Sequence, residues 1–373
     1  MYFPLQSLQA GHWFKLICGA SYQHLPAVRS LSLAYALAGA DCIDVAADSA
    51  VVAAAKEGLA VAQQLQKSAI AQGFLAPGRP WLMVSLNDGE DPHFRKAEFN
   101  PNLCPSDCPR PCEAVCPADA INFSGVITDR CYGCGRCLPV CPSQLITTQS
   151  HQLSLSTIVE ELQQFQIDAI EIHTQAGRER EFQRLWDALQ PIIPELKVLA
   201  ISCPDDPNLL NYLQTLYEKI SPLPCPLIWQ TDGRPMSGDL GIGSTRATVK
   251  LAQKVLNADL PGYVQLAGGT NQHTVTKLQS AQLLNSPPHY PQPSVAGIAY
   301  GSFARSQLSS LLESLEQSHE WDKSSNSSLQ LEDHPELLWK AVKQADTLVS
   351  QLKPNREPLQ LTTDLQLMNR ELN

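Results

Sequence analysis

The chain has 373 residues, room for about two domains, with 43% apolar and 17% charged residues, the latter below the roughly 25% typical of soluble domains. Its formal net charge is −10, from 27 Lys and Arg against 37 Asp and Glu, and no basic run occurs. That excludes a nucleic-acid backbone as partner, because such affinity comes from neutralised phosphates.

No stretch approaches the roughly 18 apolar residues of a membrane span. Residues 1–11 lack the charged start and apolar run of a secretory signal, so a cytoplasmic location is expected. The first β-rich runs fall at 14–18, 42–46 and 81–86, with a helical pattern over 25–37 carried by Leu25, Val28, Leu31, Ala34, Tyr35 and Ala38.

Eight of the twelve cysteines then lie between Cys104 and Cys141. In a reducing compartment such a cluster reads as metal ligation, not disulfides. Cys131, Cys134, Cys137 and Cys141, followed by Pro142, have gaps of two, two and three residues, the C-x2-C-x2-C-x3-C-P run of bacterial ferredoxins. Three thiolates on a tight loop, relaxed by Gly133 and Gly135, can reach three irons of one cubane. The fourth, set off by its proline, turns to a second cluster.

Cys104, Cys108, Cys112 and Cys116, followed by Pro117, come before it with three gaps of three. Pro105, Pro109 and Pro111 hold that wider loop extended. Crossed ligation predicts one cluster on Cys131, Cys134, Cys137 and Cys116, and another on Cys104, Cys108, Cys112 and Cys141. The wider loop leaves open whether the second cluster is [4Fe–4S] or a three-iron variant. Apolar pairs flank the cysteines at Ala120-Ile121, Val126-Ile127 and Leu145-Ile146, so residues 100–148 resemble a two-cluster ferredoxin domain. Zinc is the rival metal, but its sites pair two CxxC hooks and lack a triple hook ending in Cys-Pro.

Five further β-rich runs follow, at 169–173, 197–202, 226–230, 262–266 and 295–300. Helical patterns alternate with them over 158–165, 181–189, 209–220, 244–256 and 303–315. Eight near-continuous apolar strands with no Gly-rich fingerprint after the first predict an α/β fold of the (β/α)8, TIM-like barrel type. The chain then divides into barrel strands one to three over 11–99, an inserted α+β dicluster ferredoxin-like domain over 100–148, and barrel strands four to eight over 149–316. A linker and helical tail occupy 317–373, with the linker near 318–328 and a helix over 335–352.

Barrel chemistry sits at the C-terminal strand ends. Here those ends carry Cys18 and Ser21, Asp44 and Asp48, Asn87 and Asp88, Glu171 and His173, Cys203, and Gln230, Asp232 and Arg234. The last two ends, with Gly268, Gly269 and Thr270, then Gly301, Ser302 and Arg305, form glycine turns able to admit a phosphate or the phosphate of FMN. Cys18, Cys203, Cys42 and Cys225 read as packing thiols, and His173 as a hydrogen-bonded structural histidine. The three-glycine stretch 237–245 reads as a rim loop.

The order of parts, with GHWFKLICGAS over 11–21, AGADCIDVA over 38–46, the eight cysteines and QLAGGT over 265–270, resembles the cyanobacterial light-dependent period protein family from about residue 11 to residue 315. That resemblance implies an iron–sulfur redox sensor feeding light-dependent metabolic state to the circadian clock, with clock-complex proteins as partners. Eight ligands beside no convincing acid–base pair favour a non-enzymatic sensor. The glycine turns keep a flavin-containing oxidoreductase, fed by the clusters, as the alternative.

Overall fold

Apolar strands covered on both faces form wherever a ring of helices can bury them, and eight of them close here into a parallel barrel. The computed structural model describes residues 3–74, 78–89, 94–116, 118–150, 155–233, 244–284, 293–321 and 330–353. In chain order it begins with α1 (Pro4–Gln9), β1 (Trp13–Gly19), α2 (Leu25–Ala38), β2 (Cys42–Ala46), α3 (Ser49–Ala71) and β3 (Trp81–Asn87). An inserted lobe follows, with β4 (Arg95–Glu98), α4 (Pro111–Ala114), β5 (Ile121–Asn122), β6 (Gly125–Val126), α5 (Cys137–Val140) and β7 (Thr147–Ser150).

The barrel resumes with α6 (Leu155–Phe165), β8 (Ala169–His173), α7 (Glu179–Leu189), β9 (Val198–Pro204), α8 (Leu209–Ile220), β10 (Leu227–Asp232), α9 (Thr245–Leu256), β11 (Tyr263–Ala267), α10 (Thr274–Ser280), β12 (Gly297–Tyr300) and α11 (Ser302–Trp321). Helix α12 (Pro335–Val349) comes last. The strand order β1-β12-β11-β10-β9-β8-β3-β2 closes because β1 pairs with both β12 and β2, Trp13 facing Gly297 and Lys15 facing Cys42. All eight expected strands are present, and the lobe leaves after the third and returns before the fourth.

Periodicity passes over α1, α3 and α10. The buried stripe of α3 runs through Val51, Val52, Ala55, Gly58, Leu59 and Ala62, where small residues blur the apolar spacing. They are needed because α3 crosses α2 closely: a Cβ on Gly58 would lie 2.3 Å from the Arg29 carbonyl oxygen. Asp48 starts α3 by accepting from the Ala50 and Val51 N–H groups, each at 3.0 Å. Helix α11 runs to Trp321, past the expected end at Leu315 and into the stretch read as linker. Residues 322–329 and the tail 354–373 lie outside the described residues. Helix α12 packs on α2 and α11 at the barrel's side.

The barrel interior changes character along its axis. Its base is apolar: Leu8 of α1 packs there with Trp13, Trp81, Met83, Val198 and Ile228, and the two indoles meet edge to face at 5.6 Å. Just beyond, Lys353 donates to Asp41 at 2.5 Å and to the His12 carbonyl at 3.1 Å, tying the last described residues to the base.

Above the base the interior is polar and ionised. The Lys15 ammonium, fully buried, pairs with Glu171 and lies 3.4 Å from Asp44. Glu171 also accepts from Gln230 at 2.6 Å and sits 2.9 Å from His173 Nε2. Gln265 continues the ladder downward, donating to Gln230 at 2.5 Å and accepting from the Trp13 indole at 2.5 Å. Burial works against the charge on Lys15, yet Glu171 and Asp44 hold its pKa above the ordinary value. Burial likewise works against Glu171, but Lys15 and then His173 bring it down to about 2. Burial prevails at Asp44, which rises to about 6 despite Lys15.

Breaking such a buried pair from one side costs roughly 3–5 kcal/mol, because the other charge is left uncompensated. Lys15→Met and Glu171→Gln should each lower the unfolding free energy measured by denaturant titration by that order, while the double variant loses less than the sum. Additive losses would show that the two groups act independently. Because Glu171 is depressed, its contribution is complete above 4.5 and fades as pH falls toward about 2. Asp44 works in the opposite sense between about 6 and 3.8. Glu171→Gln should flatten the acid limb of stability against pH.

Candidate metal centre above the barrel mouth

The lobe is fastened by its own two ends. β4 and β7 pair antiparallel, Ala97 facing Thr148, so the outgoing and returning chains are zipped beside the barrel mouth, just outside the expected limits 100 and 148. The β5–β6 hairpin pairs Ile121 with Val126. A separate small core forms around Ala97, Cys112, Ala120, Ile121, Cys131, Cys137 and Ile146. Cys112 lies on the one-turn helix α4 and Cys137 opens α5.

Cys116, Cys131, Cys134 and Cys137 line one cavity, walled otherwise by small residues including Ala97, Ala118, Ala120, Gly133 and Gly135. Both glycines are left-handed, at φ 72° and 71°. A Cβ on Gly135 would meet nothing nearer than 3.9 Å, so conformation, not space, calls for glycine there. Two sulfurs already accept backbone bonds, Cys131 from the Ala97 N–H at 3.4 Å and Cys116 from the Ala120 N–H at 3.2 Å. Burial, then Cys134 and Cys131, push the Cys137 thiol up to about 12. Burial raises Cys134 too, with Cys116 and Cys131 adding to it. Four thiols on one apolar cavity cannot ionise together unless positive charge sits among them, which iron supplies.

The other four lie along the lobe's outer side. Desolvation and then Cys108 raise the Cys104 thiol, with Cys141 a further influence, and Cys141 acts on Cys112 as well. Against its own desolvation, Cys141 is held below the ordinary value by the N–H groups of Leu145, Ile146, Ser143 and Gln144. Among the described residues no three Cys, His, Asp or Glu side chains converge as one bare metal ion requires. The inner four line one small cavity of about 20 Å³. Pro117 lies outside the described residues.

Tyr132, between two of these cysteines, reaches the barrel. Its ring lies 4.1 Å from the Arg305 guanidinium, and Arg305 donates to the Ile17 carbonyl at 2.9 Å. Below it, one cavity gathers all six expected mouth residues, Gly268, Gly269, Thr270, Gly301, Ser302 and Arg305, together with Glu171, His173 and Asp232. Several are already engaged: Thr270 donates to the Ala299 carbonyl at 2.7 Å, and the Gly269 carbonyl accepts from Ser244 at 3.1 Å. The cavity measures about 90 Å³, against roughly 300–1,000 Å³ for small-molecule sites. A flavin there would have to displace Tyr132 and Arg305. Arg234 and most of the loop 237–245 lie outside the described residues.

His173 is bonded to Glu171, as expected of a structural histidine. Cys18, Cys42 and Cys203 are buried, and Cys225 is half-buried. Burial raises all four thiols, Cys18 to about 12. Sequence reasoning missed Lys15, Gln265 and Tyr132. For Lys15 a signal existed: a lysine at an inward position of a strand apolar on both faces must carry a partner.

Two family models match parts of the chain. The family described as "LdpA Fe-S cluster-binding domain" matches residues 104–152, and the "Light dependent period A C-terminal domain" matches residues 161–351. A curated relative, Light dependent period A of Synechococcus elongatus, is 56% identical over 353 residues, covering 94% of each chain. Among solved structures, tryptophan synthase from Mycobacterium tuberculosis aligns over 94% of this chain and 97% of its own at 11% identity and TM-score 0.42. A fructose-bisphosphate aldolase from Campylobacter jejuni covers 92% and 89% at 9% identity and TM-score 0.38.

A cation–π contact is worth about 0.5–2 kcal/mol, depending on desolvation. Arg305→Ala should therefore loosen the lobe locally, with hydrogen exchange at residues 131–137 accelerating severalfold while the barrel strands stay protected. Unchanged exchange there would show that Tyr132 is held by the lobe alone.

Proposed function

The chain belongs to the Light dependent period A family, and on that footing we propose that it is an iron–sulfur redox-sensing regulator, relaying light-dependent cellular redox state to the circadian clock through a protein partner. The observation that carries this reading is the single cavity lined by Cys116, Cys131, Cys134 and Cys137 within the segment matching the iron–sulfur family. On this reading those four residues hold one cluster, and Cys104, Cys108, Cys112 and Cys141 hold a second, with [4Fe–4S] the type for the inner set. When bound, each cluster supplies a one-electron change of charge.

The chain's own residues make that change readable. Of the second set, Cys104, Cys108 and Cys141 are half-buried and Cys112 is buried, and Leu103 and Phe123 of the same lobe are two large apolar side chains open to solvent, where a partner can dock and sense the lobe's charge. The barrel offers little acid–base chemistry to a substrate, since Lys15, Glu171 and Asp44 are buried and satisfy one another. It acts as a rigid seat for the lobe.

Anaerobically isolated protein should contain about eight irons with matching sulfide. Cys131→Ser and Cys116→Ser should abolish the same half of the iron-dependent spectrum, Cys104→Ser and Cys141→Ser the other half, and Cys18→Ser neither. Colourless, zinc-loaded protein from strictly anaerobic preparations would overturn the assignment. Affinity for purified clock-complex proteins should differ between oxidised and dithionite-reduced forms, and equal affinity in both would remove the sensor reading.

A further inference from the structure

A cleft of about 430 Å³ opens between the C-terminal ends of β1–β3 and strand β4 of the lobe, within the roughly 300–1,000 Å³ range of small-molecule sites. It is separate from the cavity under Tyr132. Its inner wall is apolar, from Leu86, Phe94 and Leu185. Two polar groups facing it are left incompletely satisfied.

The first is Lys96, which is 3% exposed. Its ammonium donates to Gln23 Oε1 at 2.5 Å and to the Thr128 carbonyl at 2.6 Å, both neutral acceptors, and an ammonium has three donors. Burial lowers its pKa; Cys131, Asp129 and Asp48 oppose this from longer range, none as an ion-pair partner among the described residues. The second is Ser21, 6% exposed, whose hydroxyl has no hydrogen-bond partner among the described residues.

Carboxylates also face the cleft, but they are occupied. Asp48 caps α3 and accepts from Gln23 at 3.0 Å. Asp88 accepts from Thr174 at 2.5 Å and from Arg178 at 2.9 Å. Glu181 stands at the rim, where Arg184, exposed, offers a balancing charge. The uncompensated charge on the buried side is therefore positive.

We infer that this cleft binds a small organic carboxylate, its two oxygens taking the spare Lys96 N–H and the Ser21 hydroxyl and its short apolar body lying against Leu86 and Phe94. A planar two-oxygen anion matches one ammonium and one hydroxyl, whereas phosphate sites draw on several backbone N–H groups or an Arg fork.

The site also touches the redox centre. Ala97, next to Lys96, donates to Cys131 Sγ, and the Thr128 carbonyl held by Lys96 lies three residues before Cys131. A bound anion cancels the lysine's charge beside that thiolate, so reduction there becomes harder and the carboxylate binds the oxidised protein more tightly. Linkage requires the two effects to be equal in free energy. This second part rests on the iron–sulfur reading; the binding site does not.

The test is calorimetric titration of the full chain with butyrate, succinate and inorganic phosphate, in the oxidised and dithionite-reduced forms. Carboxylate binding should be saturable, weakened at least tenfold by Lys96→Met and severalfold by Ser21→Ala, a milder change that keeps the test valid if Lys96→Met fails to fold. No carboxylate binding to iron-replete protein, or binding indifferent to both substitutions, overturns the site. Phosphate binding in preference to carboxylate overturns the ligand class. A tenfold affinity ratio between redox forms should accompany a fall of about 59 mV in cluster midpoint potential at saturating carboxylate. Binding without that shift in iron-replete protein overturns the linkage alone. If the protein carries no iron–sulfur cluster, the same titrations still decide the site while the functional reading falls.

Discussion

At the centre and the base of the barrel each buried lysine finds its counter-charge within the fold, and that constraint organises the molecule. Lys15 stands at the centre of the barrel because Glu171 and Asp44 stand there too. Lys353 reaches under the base because Asp41 is fully buried. An ionised group without such a partner would cost several kcal/mol in so dry a setting. The thiol cavity differs: its four sulfurs have N–H donors and one another, but no cationic side chain among the residues that line it. Completing the charge balance there requires a cation from outside, and iron is the one that the cysteine spacing suits.

The same constraint explains why barrel and lobe are built so differently. The barrel satisfies itself, with an apolar base of Trp13, Trp81 and Leu8 below a closed polar ladder. The lobe has a small core, about half of it cysteine, and depends on its anchors. Those are the β4–β7 zipper, the Arg305 guanidinium over Tyr132, and Lys96 holding the Thr128 carbonyl. Lys96 and Arg305 hold residues three and one places from Cys131, and Ala97 of the zipper donates to its sulfur. The inner cysteines are thus fixed to the rigid mouth, while the outer set lies toward solvent.

Much of this was legible in the sequence. The strands announced themselves as apolar runs because both faces are covered, and the inner thiols announced themselves by spacing, since a loop that wraps a cubane leaves little freedom in where its sulfurs fall. Helix α3 was not legible, because its contact with α2 demands Gly58 and alanines, and small residues carry almost no periodic signal. Tyr132 was hidden for another reason. Its role comes from a residue far along the chain, Arg305, and only the insertion's path over the mouth brings them together. Gln265 became visible only once the barrel had closed and set its amide beside Gln230 and Trp13.

The position of Tyr132 bears on what the barrel contributes. A carrier of electrons needs only the lobe, yet this lobe is bolted through one aromatic ring to Arg305, which also holds the end of β1 through the Ile17 carbonyl. The ring stands in sequence between Cys131 and Cys134 of the inner set, so on the redox-sensing proposal a shift of that loop would push against the barrel rim, which is close-packed and yields little. On the redox-sensing proposal, any displacement is left to the loop of Cys104 to Cys112 and the exposed Leu103 and Phe123. A large, stiff scaffold beneath a small charged lobe is therefore suited to turning an electron's arrival into a changed surface.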